Sequence, residues 1–441
     1  MKSKGLLTAC SLLLALSAII WWSNKKAATA EKPPAENATT KLVNIPEDQF
    51  QGIEIKKRTS ETVRLQREGS KWQITAPEHF RADPDAVSSI LSTLSSLSSD
   101  RTVEEKATSL DQYGLTQPAM ELNIADKNKK TTKLLIGDGT PAGTAVYAAI
   151  AGDPRVFALS SYKKDNFDKS LNDLRDRRLL TFDSDKVSSI ELTAKKQTIA
   201  FGRSKDEWQI VRPKPFRADR SQVEDLLRTL SDAKMDLSAS DDEKKVSAAF
   251  ASGAPFASAK VTDVSGTQEL QVRKNKDDYY AKSSAVAGVY KISSGTGTRL
   301  NKSVDDFKNK KLFDFGFADP EKIELHDGPK SYFLTRSGSD WWSNGTKMDA
   351  GAISALIDKI RDLSATKFPE SGFTAPILDL AVTSDSGKRI EKVQLSKNGK
   401  DFVAKRESEP ALYELSSSAV ADLQKAAADL KPAAPPPPSK K

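Results

Sequence analysis

The chain has 441 residues, 38% of them hydrophobic, with 68 basic and 60 acidic side chains for a net charge of +8. One cysteine and two histidines exclude an internal disulfide and a cysteine-built metal site. The basic residues are dispersed and mostly lysine, without the interleaved aromatics of a nucleic-acid-binding stripe, so no nucleic-acid partner is expected.

In chain order, Met1-Lys2-Ser3-Lys4 precedes an uncharged apolar run from Gly5 to Trp22. That run is near the lower limit for a helix spanning a bilayer. Trp21 and Trp22 close it as interfacial aromatics, and Lys2 and Lys4 favour a cytoplasmic amino end. Residues 1–22 therefore read as an uncleaved signal anchor, making a single-pass bacterial inner-membrane protein with its bulk periplasmic. Two other readings stay open. Cleavage after Ala28-Thr29-Ala30 would leave Lys25 and Lys26 awkwardly between apolar run and site. Leu7-Thr8-Ala9-Cys10 matches a lipobox tetrad, but the apolar run continues past the cysteine. Residues 23–44, rich in Lys, Ala, Glu, Pro, Asn and Thr, read as a flexible spacer.

The chain then says the same thing three times, at residues 45–178, 179–311 and 312–430. A period of roughly 130 residues is that of a domain, not a solenoid unit. Each copy opens on a strand triplet: Ile53-Glu54-Ile55, Ile190-Glu191-Leu192, Ile323-Glu324-Leu325. The alternation puts the glutamate on the opposite face from its neighbours. A tryptophan follows (Trp72, Trp208, Trp341), then F-R-A-D in the first two copies and M-D in the third. Asp83, Asp219 and Asp349 sit at N-cap positions, with Pro84 in the first helical turn. Behind them runs one apolar helical stripe: Val87, Ile90, Leu91, Leu94; Val223, Leu226, Leu227, Leu230; Ile353, Leu356, Ile357, Ile360.

After each helix come a turn (Gly114-Leu115-Thr116-Gln117-Pro118, Gly253-Ala254-Pro255, Gly372-Phe373-Thr374-Ala375-Pro376) and further alternating strands. Gly137-Asp138-Gly139 reads as a hairpin turn. A second helix is expected to close the first two copies, on Phe167, Leu171, Leu174 and on Leu300, Val304, Phe307, each ending in a basic run. Each copy thus reads as a three-strand meander, a helix, a further antiparallel sheet of three or four strands, and a closing helix. The fold class is α+β: an N-terminal transmembrane helix followed by three tandem repeats, each an antiparallel sheet plus helices. Residues 431–441, with Pro435 to Pro438, read as a disordered Pro/Lys tail.

No catalytic, cofactor-binding or metal residue is assigned, so no enzyme and no cofactor are expected. His79 and His326 are not repeated among the copies. The recurrent aspartates are explained as caps, and the tryptophans, in apolar strands, as packing residues rather than a ligand platform. No G-x-S-x-G occurs, and Gly137-Asp138-Gly139 lacks the lysine of a phosphate loop.

Arg175-Asp176-Arg177-Arg178-Leu179-Leu180, the I-E-L and W-Q-I strands and Tyr113-Gly114-Leu115-Thr116-Gln117-Pro118 resemble a bacterial family of membrane-anchored proteins built on a domain of unknown function. The resemblance covers most of residues 45–430 and rests on packing motifs. Such proteins are often encoded beside auxiliary subunits of gliding-motility-type ABC transporters, which implies a partner of that kind. The expected function is a non-catalytic, membrane-tethered extracytoplasmic scaffold or accessory protein, auxiliary to a membrane complex such as an ABC transporter. The alternative is an envelope glycan- or lipid-binding module.

Overall fold

A computed structural model describes residues 39–204, 207–237, 243–318 and 320–434. The expected anchor over residues 1–22, Cys10, and all of the spacer and tail except 39–44 and 431–434 lie outside these. No helix among the described residues is long and apolar enough to cross a membrane.

The described chain builds three antiparallel sheets of nine, eight and eight strands, with eight α-helices. It divides into two compact units, the first ending at Arg177 with the nine-stranded sheet, the second starting at Arg178 with both eight-stranded sheets.

Each sheet is organised around its I-E-I or I-E-L strand. In the first, Ile53 sits opposite Leu65 on one side and Ile124 on the other. In the second, Ile190 lies between Phe201 and Val261. In the third, Ile323 lies between Leu334 and Val382. All nine side chains are buried, so each copy carries the same apolar row under its helix. The two strand sets expected as a meander and a further sheet are therefore one continuous sheet. The apolar pattern of each half is complete by itself; only the pairing across the central strand joins them.

The helices Pro84–Ser95, Arg220–Ser231 and Ala350–Asp362 cover that row. Asp83 accepts from the amides of Asp85 and Ala86, Asp219 from Ser221 and Gln222, and Asp349 from Ala352. All twelve stripe residues are buried, each stabilising its copy by roughly 1.5–3 kcal/mol.

The closing segments differ from expectation. Phe167 ends the helix Ser161–Phe167, whereas Leu171 and Leu174 lie on a separate turn, Leu171–Leu174. A capping box starts that turn: the Ser170 amide donates to Asp173 at 2.9 Å and the Asp173 amide to Ser170 Oγ at 3.2 Å. In the second copy the helix Ser294–Arg299 stops before Leu300, and Ser303 and Asp306 form the same box around a short 3-10 turn. Phe167, Leu174, Leu300 and Phe307 are still buried, so the spacing reported burial correctly and continuity wrongly. The third copy has a closing helix as well, Ser417–Ala428, which buries Val420, Leu423 and Ala427.

Gly137-Asp138-Gly139 is not the hairpin turn but the bulged end of the strand Thr131–Gly139. A Cβ on Gly137 would lie 2.2 Å from the Tyr113 carbonyl, so the glycine admits the Tyr113-Gly114-Leu115 loop onto the sheet.

Candidate functional site

The cap aspartates, the helix stripes and the tryptophans that recur in all three copies are structural. Trp208 and Trp341 are buried in their cores, and Trp72 packs partly buried against the first. His79 is exposed, 3.7 Å from Glu68. His326 Nδ1 lies 2.9 Å from Ser331 Oγ, with its ring edge-on to Phe333. Among the described residues no three His, Cys, Asp or Glu are grouped to hold a metal ion.

The densest polar constellation lies where the second copy meets the third, inside the second unit. Arg217, from F-R-A-D, donates to Glu409 at 2.9 Å and to the Tyr413 hydroxyl at 3.2 Å, and also reaches Asp314 and the Lys311 carbonyl. Arg406, 7% exposed, pairs with Glu391 at 3.0 Å and Glu409 at 2.9 Å, with Asp314 at 3.5 Å. Tyr413 donates to Glu409 at 2.8 Å. Burial pushes the Glu391 carboxyl above its ordinary value, against the Asp314 amide and Arg406 that favour its charge. Burial also pushes the Tyr413 phenol well up, against the pull of Arg217, so it stays a neutral donor.

Beside this network the Lys308 ammonium, paired with Asp305 at 2.8 Å, sits 4.1 Å from the Phe216 ring centre and 4.7 Å from that of Phe368. Phe216 packs against both the second and third cores. The basic run therefore does not cap a helix. It runs extended, bridging its own copy's edge at Ala218 through Lys308 and the third copy at Ser364 through Lys311. In the first unit Arg175 stands over Phe80 at 4.0 Å and bridges Ala82. The third copy has Thr346-Lys347 in place of Phe-Arg and bridges through Pro432.

Arg217, Asp314, Glu391, Arg406, Glu409 and Tyr413 were not singled out in the sequence. The available signal was the phenylalanine and arginine of F-R-A-D, present in two copies and missing from the last.

The second feature is the face of each sheet away from its helix. Connectors cover its far half. Leu115 packs on Ala149 and Val156, the helix Glu243–Ser252 on Arg273 and Asn275, and the Thr374 amide bonds Ser396 at 3.1 Å. Grooves of about 290, 300 and 350 Å³ remain on this face in the first, second and third copies. They lie over different strands: the first beside Glu54 and Arg64, the second at the Lys195-Lys196 turn and Phe256, the third across Glu324, Asp379, Gln394 and Lys405. Glu54 is clamped by Arg64 at 2.9 Å and Asn123 at 3.1 Å, and Arg64 holds its carboxyl below the usual range against desolvation. Glu191 is held by Arg212 at 2.7 Å and Lys260 at 3.8 Å. Glu324 meets Lys322 along its own strand, and its cross-strand neighbours are the uncharged Phe333 and Ala381.

No curated protein matches the chain in sequence. Among solved structures, it is similar to the DNA polymerase III subunit beta from Pseudomonas aeruginosa at 6% identity and a TM-score of 0.16, over 84% of this chain and 92% of that one. It is also similar to a DnaN sliding clamp from Pseudomonas aeruginosa bound to griselimycin, at 7% identity and a TM-score of 0.13, over 88% and 94%. At those scores neither likeness bears on fold or function. Two stretches, residues 72–209 and 208–376, match the domain of unknown function DUF4340. Each match starts at the tryptophan of one copy and runs into the next, so the family unit is offset from the sheets. Because the two matches together span more than half of the chain, the protein belongs to the DUF4340 family.

Proposed function

We propose that this protein is a non-catalytic scaffold or accessory subunit, tethered to the inner membrane through residues 1–22 and working extracytoplasmically beside a membrane complex such as an ABC transporter. One observation carries the reading. What the three copies share is mainly caps and core, while Arg217 of the second copy reaches into a charge cluster of the third and ties the two together. A chain that repeats chiefly its packing residues, and fixes one copy on the next through Arg217, suits presenting fixed surfaces to partners. The glycan-binding alternative draws support from the third copy's groove alone.

Affinity purification of the full chain from detergent-solubilised membranes tests this: transporter subunits should co-purify in stoichiometric amounts. Recovery of the chain alone under gentle solubilisation would refute the accessory role. Fusion of alkaline phosphatase after Asn44 should be active, and the chain should resist carbonate washing; release into the soluble fraction would refute the anchor.

A further inference from the structure

We propose that the open face of the third sheet binds a neutral glycan, through Glu324, Asp379, Gln394 and the flanking Phe333. This goes beyond the scaffold role and does not depend on its partner.

The three copies provide the comparison. At one lattice position they place a glutamate on the open face. In the first copy Arg64, directly opposite, clamps it; in the second Arg212 reaches it from two strands away, across Ala200; in the third its ion-pair partner is Lys322 of its own strand. In the third copy the residue opposite is Phe333, 42% exposed, beside Leu334, which is buried on the helix side. Trp342, 38% exposed, emerges on the same face as Phe333, because Trp341 points into the core. The register sets Trp342 opposite Thr335, hence diagonal to Phe333 at about 7–8 Å, within reach of one extended ligand.

The polar groups around this aromatic edge are held in place by one another. Gln394 donates to Asp379 at 2.8 Å, Lys392 pairs with Glu407 at 3.1 Å, and His326 bonds Ser331. Carboxylate, amide, imidazole and ammonium groups line a groove of about 350 Å³, within the range of small-molecule sites. The lining chooses the ligand class. Glu324, Asp379 and Glu407 are matched by Lys392 and Lys405 in the groove and by Lys322 beside Glu324, three charges of each sign, so an anion or a cation meets as much repulsion as attraction. A neutral polyhydroxylated chain uses both: its hydroxyls donate to the carboxylates and accept from the ammonium groups, while its C–H faces lie on the exposed rings. The open, shallow form fits a linear oligosaccharide.

The test is titration calorimetry of the full chain, in a detergent without a sugar headgroup, against chitotetraose, cellotetraose and maltotetraose. At least one should bind with a Kd of about 0.1 mM, weakened about tenfold by Phe333→Ala and by Glu324→Gln. Both substitutions are on an open sheet face, and circular dichroism should be unchanged. Glu54→Gln and Glu191→Gln, at the matching positions of the other copies, should leave binding intact. Silence with all three sugars at ~1 mM, binding that survives both third-copy substitutions, equal loss on Glu54→Gln, or binding only to phosphatidylglycerol vesicles would each overturn the proposal.

Discussion

Arg217 is the residue whose removal most directly tests the junction between the second and third copies. Arg217→Met keeps most of the stem and deletes the guanidinium. Removing one partner of a buried pair costs about 3–5 kcal/mol, because the remaining charge is left without compensation. Here the loss is moderated. Arg406 still stands 2.9 Å from Glu409 and 3.5 Å from Asp314, so neither acid loses its last cation. Against that, Tyr413 and the Lys311 carbonyl also lose a donor. The expected cost is about 3 kcal/mol, at the low end of that range. Urea unfolding of the full chain should show the transition of the second unit falling in midpoint and separating into two steps. A double-mutant cycle with Glu409→Gln should give a coupling energy of at least about 1 kcal/mol. An unchanged midpoint and slope, with coupling under about 0.3 kcal/mol, would refute the idea that these charges join the copies.

Other outcomes follow from single sites. Asp219→Ala should cost about 1 kcal/mol through loss of the cap, and Leu226→Ala about 2–5 kcal/mol through the cavity it leaves, both read by thermal melting. Gly137→Ala should displace the Tyr113 loop and cost about 1–3 kcal/mol, with Tyr113 and Tyr147 losing their edge-to-face contact in nuclear magnetic resonance spectra. Glu54 is depressed below 4.5 by Arg64, so its stabilisation is complete above that pH and lost as pH falls through the folded value. Because Arg64 is half exposed, Glu54→Gln should destabilise by only about 0.5–1 kcal/mol at neutral pH, and the difference should vanish in acid. Glu391 has the opposite sign: its raised value favours folding at low pH, and that contribution disappears as pH rises through the folded value.

Much of the local structure was legible in the residues alone. The aspartate caps and the four-residue stripes repeat at helical spacing, and the I-E-L alternation marks a half-buried strand. Both signals depend on neighbours within a few positions, where the 3.6 and 2.0 periods act directly. The same logic misled at Phe167, Leu171 and Leu174, whose spacing is helical although Ser170 and Asp173 interrupt the chain with a new cap. There a short-range hydrogen-bonding preference outweighed apolar periodicity.

What the tertiary structure alone decided are the pairings between residues far apart in the chain. Ile53 with Ile124 merges two strand sets into one sheet, and Arg217 with Glu409 joins two copies. The replacement of a clamping arginine by Phe333 matters only because the register brings it opposite Glu324. The sequence by itself determined which side chains face a core and where helices begin, since those follow from the period of the backbone. It left open which surface each core closes against and which charges meet there, because such contacts depend on how whole sheets pair and pack rather than on any local repeat.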